Sequence, residues 1–233
     1  MGPYETLIAG ATSYLIGAIP VGFLIVKAIR ATDIRKVGSG NIGATNVARV
    51  LGRKWFFIVF LLDVLKGFLP CLFAGMMANH AWRDPAPLAV VLCGLLAVVG
   101  HNWPVYLRFR GGKGVATSCG VCLYLFPVAL LGGIVVWGIV AWIWRYVSLA
   151  SISCALAVAA LVWVFNRDRL EDARYLLGFV TLAALMIVVR HHGNIARLIK
   201  GTEAKIGQRA PSSPAAPDLQ SKPGTQDSER TDV

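Results

Sequence analysis

The chain has 233 residues, of which 56% are hydrophobic and only 15% are charged, and its mean hydropathy is +0.63. Soluble domains carry roughly a quarter charged residues, so this composition excludes an ordinary soluble domain and indicates an integral membrane protein. The net charge of +11 does not indicate nucleic-acid binding, because the basic residues lie in short loops without a nucleic-acid-binding motif. Membrane topology and contact with anionic lipid headgroups explain the excess instead.

Long apolar stretches follow one another along the chain. They cover residues 7–29, 55–77, 87–100, 115–144, 146–165 and 175–189. About 20 residues cross the hydrocarbon core, so the fourth stretch is too long for one crossing. Pro127, with Gly132 and Gly133, allows a reversal that splits it. We therefore expect an all-α membrane protein with about seven transmembrane helices.

The first stretch has two features of its own. Pro20, flanked by Gly17 and Gly22, predicts a kink, which membrane helices tolerate. Glu5 is the only charge before Lys27, so the basic n-region of a cleaved signal peptide is missing, and the apolar run exceeds an h-region. We expect a retained helix.

Basic residues concentrate in alternate loops. They lie in 30–54, in 108–113, at 145 and in 190–209, whereas the loops around 83 and 167–174 balance basic with acidic residues. By the positive-inside rule the N-terminus lies outside and the C-terminus in the cytoplasm. Residues 1–207 then form the membrane domain, and the polar tail 208–233 is expected to be disordered.

Three polar segments interrupt the apolar pattern, and the first spans 38–49. Gly38 and Gly40 make its backbone flexible. The neighbouring positions carry the short polar side chains of Ser39, Asn41, Thr45 and Asn46 and the guanidinium of Arg49. Such donors suit a phosphate oxyanion. The alternative is that Thr45 or Asn46 caps a helix; the density of glycines favours ligand contact. We call this segment the first island.

The second island spans 100–117 and contains Gly111, Gly112, Lys113 and Gly114. It is not a P-loop, because Leu107 occupies the place of the first glycine and Gly114 the place of the Ser or Thr. Phosphate can still bind at the N-terminus of the helix that starts near Val115, with Lys113 and Arg110 nearby. His101 is either catalytic or an interfacial histidine bonded to a loop carbonyl.

The third island spans 190–205. His191 and Asn194 are three residues apart, so a helix that continues the last span carries both on one face, with Arg197 and Glu203 following. In the second span, Asp63 and Lys66 are also three apart. An intramembrane charge pair is costly unless it is matched, so we interpret these two as neutralising each other inside the bundle. The five cysteines lie within apolar spans and are expected to pack there.

These motifs resemble those of the bacterial acyl-phosphate:glycerol-3-phosphate acyltransferase family. The resemblance rests on GSGNIGATN with Arg49, on DVLKG, on GHNWPVYLRFRGGKGVAT and on RHHGNIARLIKGTE, and it covers residues 4–207. It implies a seven-helix inner-membrane enzyme, with its active site facing the cytoplasm, that moves a fatty acyl group from acyl phosphate to the 1-hydroxyl of sn-glycerol 3-phosphate. The products are lysophosphatidate and inorganic phosphate, in the first acylation step of phospholipid synthesis.

The resemblance also implies roles for individual residues. The catalytic set is Ser39, Arg49, Lys113, His191 and Asn194. The substrate-binding set is Gly38, Gly40, Asn41, Thr45, Asn46, His101, Arg110, Gly111, Gly112, Gly114 and Arg197. Asp63, Lys66 and Glu203 are structural. A monomer without a cofactor is expected.

The chemistry then proceeds without a strong protein base or a metal. No histidine is followed five residues later by aspartate, and no cluster of aspartates stands ready to hold a divalent metal pair. The phosphate of the donor is left to accept the proton. A carrier or channel for phosphorylated anions is the alternative, but it needs polar access from both faces, and the outer loops are short and nearly balanced in charge.

Overall fold

The computed structural model describes residues 2–78 and 88–208, and over this part of the chain it contains ten α-helices and no strand. The helices are α1 (Pro3–Ala18), α2 (Val21–Arg30), α3 (Ala44–Leu51), α4 (Arg53–Met77), α5 (Leu88–Asn102), α6 (Val115–Leu125), α7 (Pro127–Trp144), α8 (Val147–Phe165), α9 (Leu170–Arg190) and α10 (His192–Ile199). The loop with Arg83 and Asp84 and the predicted tail beyond residue 208 lie outside the described residues.

The membrane spans agree with the prediction of about seven helices. Six helical stretches among the described residues are long and apolar enough to cross a membrane, and α6 is a shorter apolar helix. The first stretch, Pro3–Arg30, is interrupted where α1 ends at Ala18 and α2 begins at Val21, so Pro20 breaks the helix as predicted. The long fourth apolar stretch divides at Pro127, also as predicted.

The outer faces of these helices are apolar. Trp142 on α7 is 83% exposed, Val128 on the same helix 69%, and Leu7 on α1 71%. Large apolar side chains that cover a surface in this way are unfavourable in water and suit contact with lipid tails. The chain is therefore a multi-pass membrane protein.

Glycines bring α4 and α6 into close contact. A Cβ atom on Gly67 would overlap the carbonyl oxygen of Thr117, and one on Gly120 would overlap the carbonyl oxygen of Val64. Small residues at helix crossings allow such backbone contact in membranes. Gly17 approaches the backbone of α5 in the same manner. These contacts fix the ends of α5 and α6, between which the second island lies.

Candidate functional site

The three islands meet around one cavity of about 380 Å³. Residues from α3, α4, the end of α5, the start of α6, α7, α8 and the junction of α9 with α10 line it. Its polar lining comes mainly from the islands and its apolar lining from the spans. Lys113 and Asn194, 81 residues apart in the chain, thus contribute to one site.

The first island is held in shape by Asn46. Its Nδ2 donates to the carbonyl oxygens of Val37 at 3.0 Å and Asn41 at 2.8 Å, and its Oδ1 accepts from the backbone N–H of Ser39 at 2.9 Å. Asn46 is 1% exposed. Because its amide is engaged with the loop, Asn46 shapes the island.

Glycines permit the tight path of this loop. Gly38 and Gly40 have φ values of +61° and +70°, which L side chains rarely adopt, and a Cβ on Gly38 would meet Asn46 Oδ1. Gly43 is the N-cap of α3, so neither Thr45 nor Asn46 caps the helix. The folded loop turns Ser39, Asn41 and Thr45 toward the cavity.

Arg49 is the uncommitted cation of the first island. It lies in the last turn of α3, lines the cavity and is partly buried. Among the described residues it has no ion pair and no side-chain hydrogen bond. Burial lowers the pKa of its guanidinium somewhat, with the charge of Glu203 opposing that shift, but an arginine stays charged in any protein. A planar cation with free donors therefore faces the cavity.

The second island is fastened from outside the cavity. Arg190, the last residue of α9, donates to the carbonyl oxygens of Gly111 at 2.9 Å and of Gly112 at 2.7 and 2.9 Å. The N–H of Gly112 donates to the carbonyl of His101 at 3.0 Å. A Cβ on Gly112 would overlap the imidazole of His101. Gly112 therefore allows the loop to pack against this ring.

This anchoring presents Lys113 and the start of α6 to the cavity. Gly114, with a φ of +81°, is the N-cap of α6 and lines the cavity together with Lys113 and Val115. The first N–H groups of a helix have no partner within it, and the helix dipole favours an anion there. The Lys113 ammonium stands next to this positive end.

The third island bends at His191, where α9 ends and α10 begins. His191 and Asn194 are both buried and line the cavity, but the last span does not continue unbroken through them as expected, because the helix breaks at His191. His191 Nδ1 lies 2.7 Å from the carbonyl oxygen of Ile187. A carbonyl only accepts, so Nδ1 carries the proton, and Nε2 keeps its lone pair when the ring is neutral.

Glu203 organises the rest of this island. Its Oε1 accepts from Asn194 Nδ2 at 2.5 Å and from Ser148 Oγ at 2.8 Å, and its Oε2 accepts from Arg197 Nε at 2.7 Å. Burial raises the pKa of this carboxyl, but the hydrogen bonds outweigh burial and leave the pKa below its usual range. Asn194 Oδ1 in turn accepts from Lys113 Nζ at 2.5 Å. An ionised carboxylate is thus linked to the lysine through one amide.

Burial lowers the pKa values of Lys113 and His191, which both line the cavity. Burial lowers the pKa of Lys113 to about 8; the charge of Glu203 opposes this shift, and nearby arginines add to it. Burial also lowers the pKa of His191 to about 4, and the Lys113 charge contributes. At neutral pH the lysine is mostly an ammonium and the histidine is neutral.

Asp63 and Lys66 form the predicted ion pair, with 2.8 Å between Lys66 Nζ and Asp63 Oδ1, and both side chains are buried. Lys66 Nζ also donates to the carbonyl oxygen of Ile19 at 3.0 Å, at the break between α1 and α2. Asp63 and His101 lie at the cavity wall, with 3.9 Å between His101 Nδ1 and Asp63 Oδ1.

The other half of the cavity is apolar. It is lined by Phe56 and Phe60 of α4, Val115, Ala116 and Cys119 of α6, Ile134 and Trp137 of α7, and Val147 and Cys154 of α8. The Trp137 indole donates to Ser151 Oγ at 3.4 Å, so its N–H has a partner within the cavity wall. The cavity thus joins a cationic end to an apolar end, as an amphiphilic ligand requires.

Most of the residues singled out from the sequence reach the cavity. The lining includes Ser39, Asn41, Thr45, Asn46, Arg49, Asp63, His101, Lys113, Gly114, His191, Asn194 and Glu203. The remaining ones do not line it: Gly38, Gly40, Lys66, Arg110, Gly111, Gly112 and Arg197. Arg110 is exposed and Arg197 stands at the rim, paired with Glu203. The glycines and Lys66 act on the shape of the site.

Sequence reasoning missed the contribution of α8. Ser148 and Ser151 line the cavity, and Ser148 bonds Glu203, although neither belongs to an island. Two serines three residues apart on one face of an apolar helix were the available signal. It also missed Cys119 and Cys154, which line the cavity as well as packing in the spans.

Comparisons with known proteins point to one family. The family model described as glycerol-3-phosphate acyltransferase matches residues 7–201. A protein of that name from Syntrophotalea carbinolica is 44% identical over 191 residues, which are 82% of this chain and 92% of the relative. Those from Desulforamulus reducens and Staphylococcus aureus are each 45% identical, over 87% and 83% of this chain and 95% and 94% of their own lengths.

Two solved structures have the same fold. One is the crystal structure of PlsY (YgiH), an integral membrane glycerol 3-phosphate acyltransferase, in its glycerol 3-phosphate form. It is 39% identical with a TM-score of 0.78, over 87% of this chain and 96% of the other. The lysophosphatidic acid form of the same enzyme has 37% identity and a TM-score of 0.74, over the same shares.

Proposed function

Because this chain belongs to the glycerol-3-phosphate acyltransferase family, and so is an acyltransferase, we propose that it transfers a fatty acyl group from acyl phosphate to the 1-hydroxyl of sn-glycerol 3-phosphate. The products are lysophosphatidate and inorganic phosphate, and the reaction is the first acylation of phospholipid synthesis. One observation carries the proposal: Arg49 and Lys113 face a single cavity whose opposite half is apolar. Two cations match two phosphate groups, and the apolar half suits a fatty chain.

In this proposal the donor and the acceptor meet at the polar end. Arg49 and the Lys113 ammonium, with the N–H groups at the start of α6, neutralise the phosphates. The glycerol hydroxyl attacks the acyl carbonyl carbon, a new ester C–O bond forms, and the C–O bond to phosphate breaks. Donors already in position stabilise the oxyanion without reorganising during the reaction, and holding both substrates together supplies a further part of the acceleration.

The proton of the attacking hydroxyl goes to the phosphate that leaves. His191, with a pKa of about 4, is too weak a base to take it, and Lys113 below its pKa of about 8 has no lone pair to offer. A phosphate group has a second pKa near 6, so it accepts the proton readily near neutral pH. His191 Nε2 accepts a hydrogen bond from the hydroxyl and orients it. No protein base and no metal are then required.

The decisive assay uses purified protein in detergent with acyl phosphate and radiolabelled glycerol 3-phosphate. We expect labelled lysophosphatidate without any gradient or compartment, at a rate that EDTA does not change. Parallel reactions contain acyl-CoA or acyl carrier protein as donor and are expected to give little product. Efficient use of acyl-CoA, or loss of activity with EDTA that magnesium restores, would contradict the proposed chemistry.

We also propose that the protein acts as a monomer in the bacterial inner membrane with the islands facing the cytoplasm. The abundance of basic residues around the islands supports this orientation. A cysteine introduced at Ser39 or at Thr202 should react with an impermeant maleimide only from the cytoplasmic side. Labelling of either position from outside the cell would refute the orientation.

A further inference from the structure

A buried chain of hydrogen bonds reaches the second island from α8. Ser148 Oγ donates to Glu203 Oε1 at 2.8 Å, Asn194 Nδ2 donates to the same oxygen at 2.5 Å, and Lys113 Nζ donates to Asn194 Oδ1 at 2.5 Å. Ser148, Asn194 and Glu203 are 5%, 7% and 8% exposed. Ser148 is therefore connected to Lys113 through two side chains.

The chemistry of the end groups sets the direction of this chain. A carboxylate only accepts and an ammonium only donates, so the Asn194 amide must turn Nδ2 to Glu203 and Oδ1 to Lys113. The opposite amide orientation would place the amide oxygen against the carboxylate, two acceptors, and the amide nitrogen against the ammonium, two donors. The position of the Glu203 carboxylate thus determines how Asn194 presents its oxygen to Lys113.

Two groups besides Asn194 hold the carboxylate itself. Arg197 binds Oε2 from the rim with a side chain that is 41% exposed, whereas Ser148 binds Oε1 from within the protein. The Arg197 side chain lies partly in solvent, which weakens its hold on the carboxylate relative to a fully buried contact. The hydroxyl of Ser148 is the buried anchor.

The backbone that follows Glu203 docks on the turn just before α8. Ile206 N donates to the carbonyl oxygen of Arg145 at 2.7 Å, and the Arg145 guanidinium donates to the carbonyl oxygen of Ile206 at 3.0 Å. The Lys205 ammonium lies 5.7 Å from the centre of the Tyr146 ring. The turn before α8 therefore binds the segment that follows α10, and Glu203 is part of that segment.

We propose that Ser148 is a positioning residue, which holds Glu203 so that Asn194 presents its oxygen to Lys113 and aims the ammonium into the cavity. The expected effect of Ser148 on turnover rests on the proposed function. Without the hydroxyl, the carboxylate shifts toward Arg197, Asn194 loses its fixed orientation, and Lys113 loses its acceptor. The lysine also loses part of the negative charge that favours its protonated form.

The charges around Lys113 determine the direction in which the pH of its deprotonation should change. Glu203 faces it from the segment after α10, Arg197 from α10, Arg49 from α3 and Arg190 from α9. Glu203 is the negative group of this set, so its withdrawal leaves Lys113 among cations. The ammonium then loses its proton at lower pH.

The test compares Ser148→Ala with two controls. Ser148→Thr keeps a hydroxyl at the same place. Ser13→Ala removes another buried serine hydroxyl, one that donates to the Ala9 carbonyl of its own helix at 2.6 Å and does not line the cavity. We expect kcat per folded molecule to fall roughly tenfold in Ser148→Ala, which is the effect of losing about one hydrogen bond to a charged group. The kcat of Ser148→Thr should stay within about twofold of the wild-type value, and the kcat of Ser13→Ala should equal the wild-type value.

A measurement that needs no turnover tests the same inference. The rate at which an amine-reactive reagent labels Lys113, followed by mass spectrometry against pH, gives the midpoint of its deprotonation. We expect this midpoint to lie at lower pH in Ser148→Ala than in the wild type and Ser13→Ala. Coinciding midpoints would overturn the inference, whatever the activity. If the wild type made no lysophosphatidate while the midpoint shifted, the proposed function would fail and the positioning role would stand.

A double-mutant cycle tests the route through Glu203. If Ser148 acts through this carboxylate, adding Ser148→Ala to Glu203→Gln should cost no further activity beyond that of Glu203→Gln alone. Effects that multiply would mean that Ser148 acts on the site by another path, and the inference would be wrong.

Discussion

Two lysines, the buried Lys66 and the partly buried Lys113, are each linked to a carboxylate but serve different purposes. Lys66 contacts Asp63 directly, at 2.8 Å, and also donates to the Ile19 carbonyl, so two of its three donors serve the fold. Lys113 is linked to Glu203 only through the Asn194 amide. Lys66 does not line the cavity and Lys113 does. Direct pairing commits a charge to helix packing, whereas pairing through an amide leaves the ammonium available to a ligand.

The same substitution at both positions separates the two roles. Lys66→Met removes one member of a buried pair and leaves the Asp63 charge and the Ile19 carbonyl without their partner. Breaking a buried pair in this way costs about 3–5 kcal/mol. We expect a large loss of folded protein, measured as thermal unfolding and as the monodisperse fraction in detergent.

The double variant Asp63→Ala with Lys66→Met is the control for this prediction. Replacing both members by apolar residues removes the uncompensated charge, so part of the lost stability should return. If the double variant unfolded as readily as Lys66→Met, the pair would not be the reason for the instability.

Lys113→Met should leave the protein folded and remove its activity. Glu203 retains its bonds from Asn194, Ser148 and Arg197, so no carboxylate is left unpaired. We expect turnover to fall at least roughly a hundredfold, the scale of one lost oxyanion donor, or about 2.7 kcal/mol. The unfolding midpoint should remain near that of the wild type. Near-normal turnover would remove Lys113 from the site.

Features that depend on neighbours in the chain were predictable from the sequence. The break at Pro20, the division at Pro127 and the pairing of Asp63 with Lys66 each involve residues within one turn of a helix or at a proline. Proline removes a backbone donor, and side chains three apart on a helix face each other. Local rules were sufficient for these features.

Features that depend on tertiary packing were not predictable. The bond from Ser148 to Glu203 spans 55 residues, and no motif marks Ser148. Asn46 looked like a ligand donor, because the sequence gives no sign that its amide bonds the backbone of Val37, Ser39 and Asn41. Likewise, the glycine at 112 suggested an approach to phosphate, whereas the adjacent group is the His101 ring. Composition identifies which residues can bind phosphate, but packing decides which of them remain free to do so.

The smallest expected effect is a pH dependence that belongs to Lys113. Its pKa is lowered to about 8, chiefly by burial, and the ammonium is the form that binds phosphate. Activity that requires this form is complete well below that pKa and is lost as the pH rises through it. We expect kcat/KM, which reports the free enzyme, to fall to about one tenth at one pH unit above the midpoint. His191, with a pKa of about 4, should contribute no step near neutrality.

Lys113→Arg is the control for this pH dependence, since a guanidinium keeps its charge throughout the range. The variant should be slower, because arginine cannot reproduce the contact with Asn194, but its kcat/KM should no longer fall between pH 7 and 9. A fall that persisted in Lys113→Arg would assign the titration to another group. The availability of the Lys113 ammonium to a ligand would then not be the feature that distinguishes it from the ammonium of Lys66.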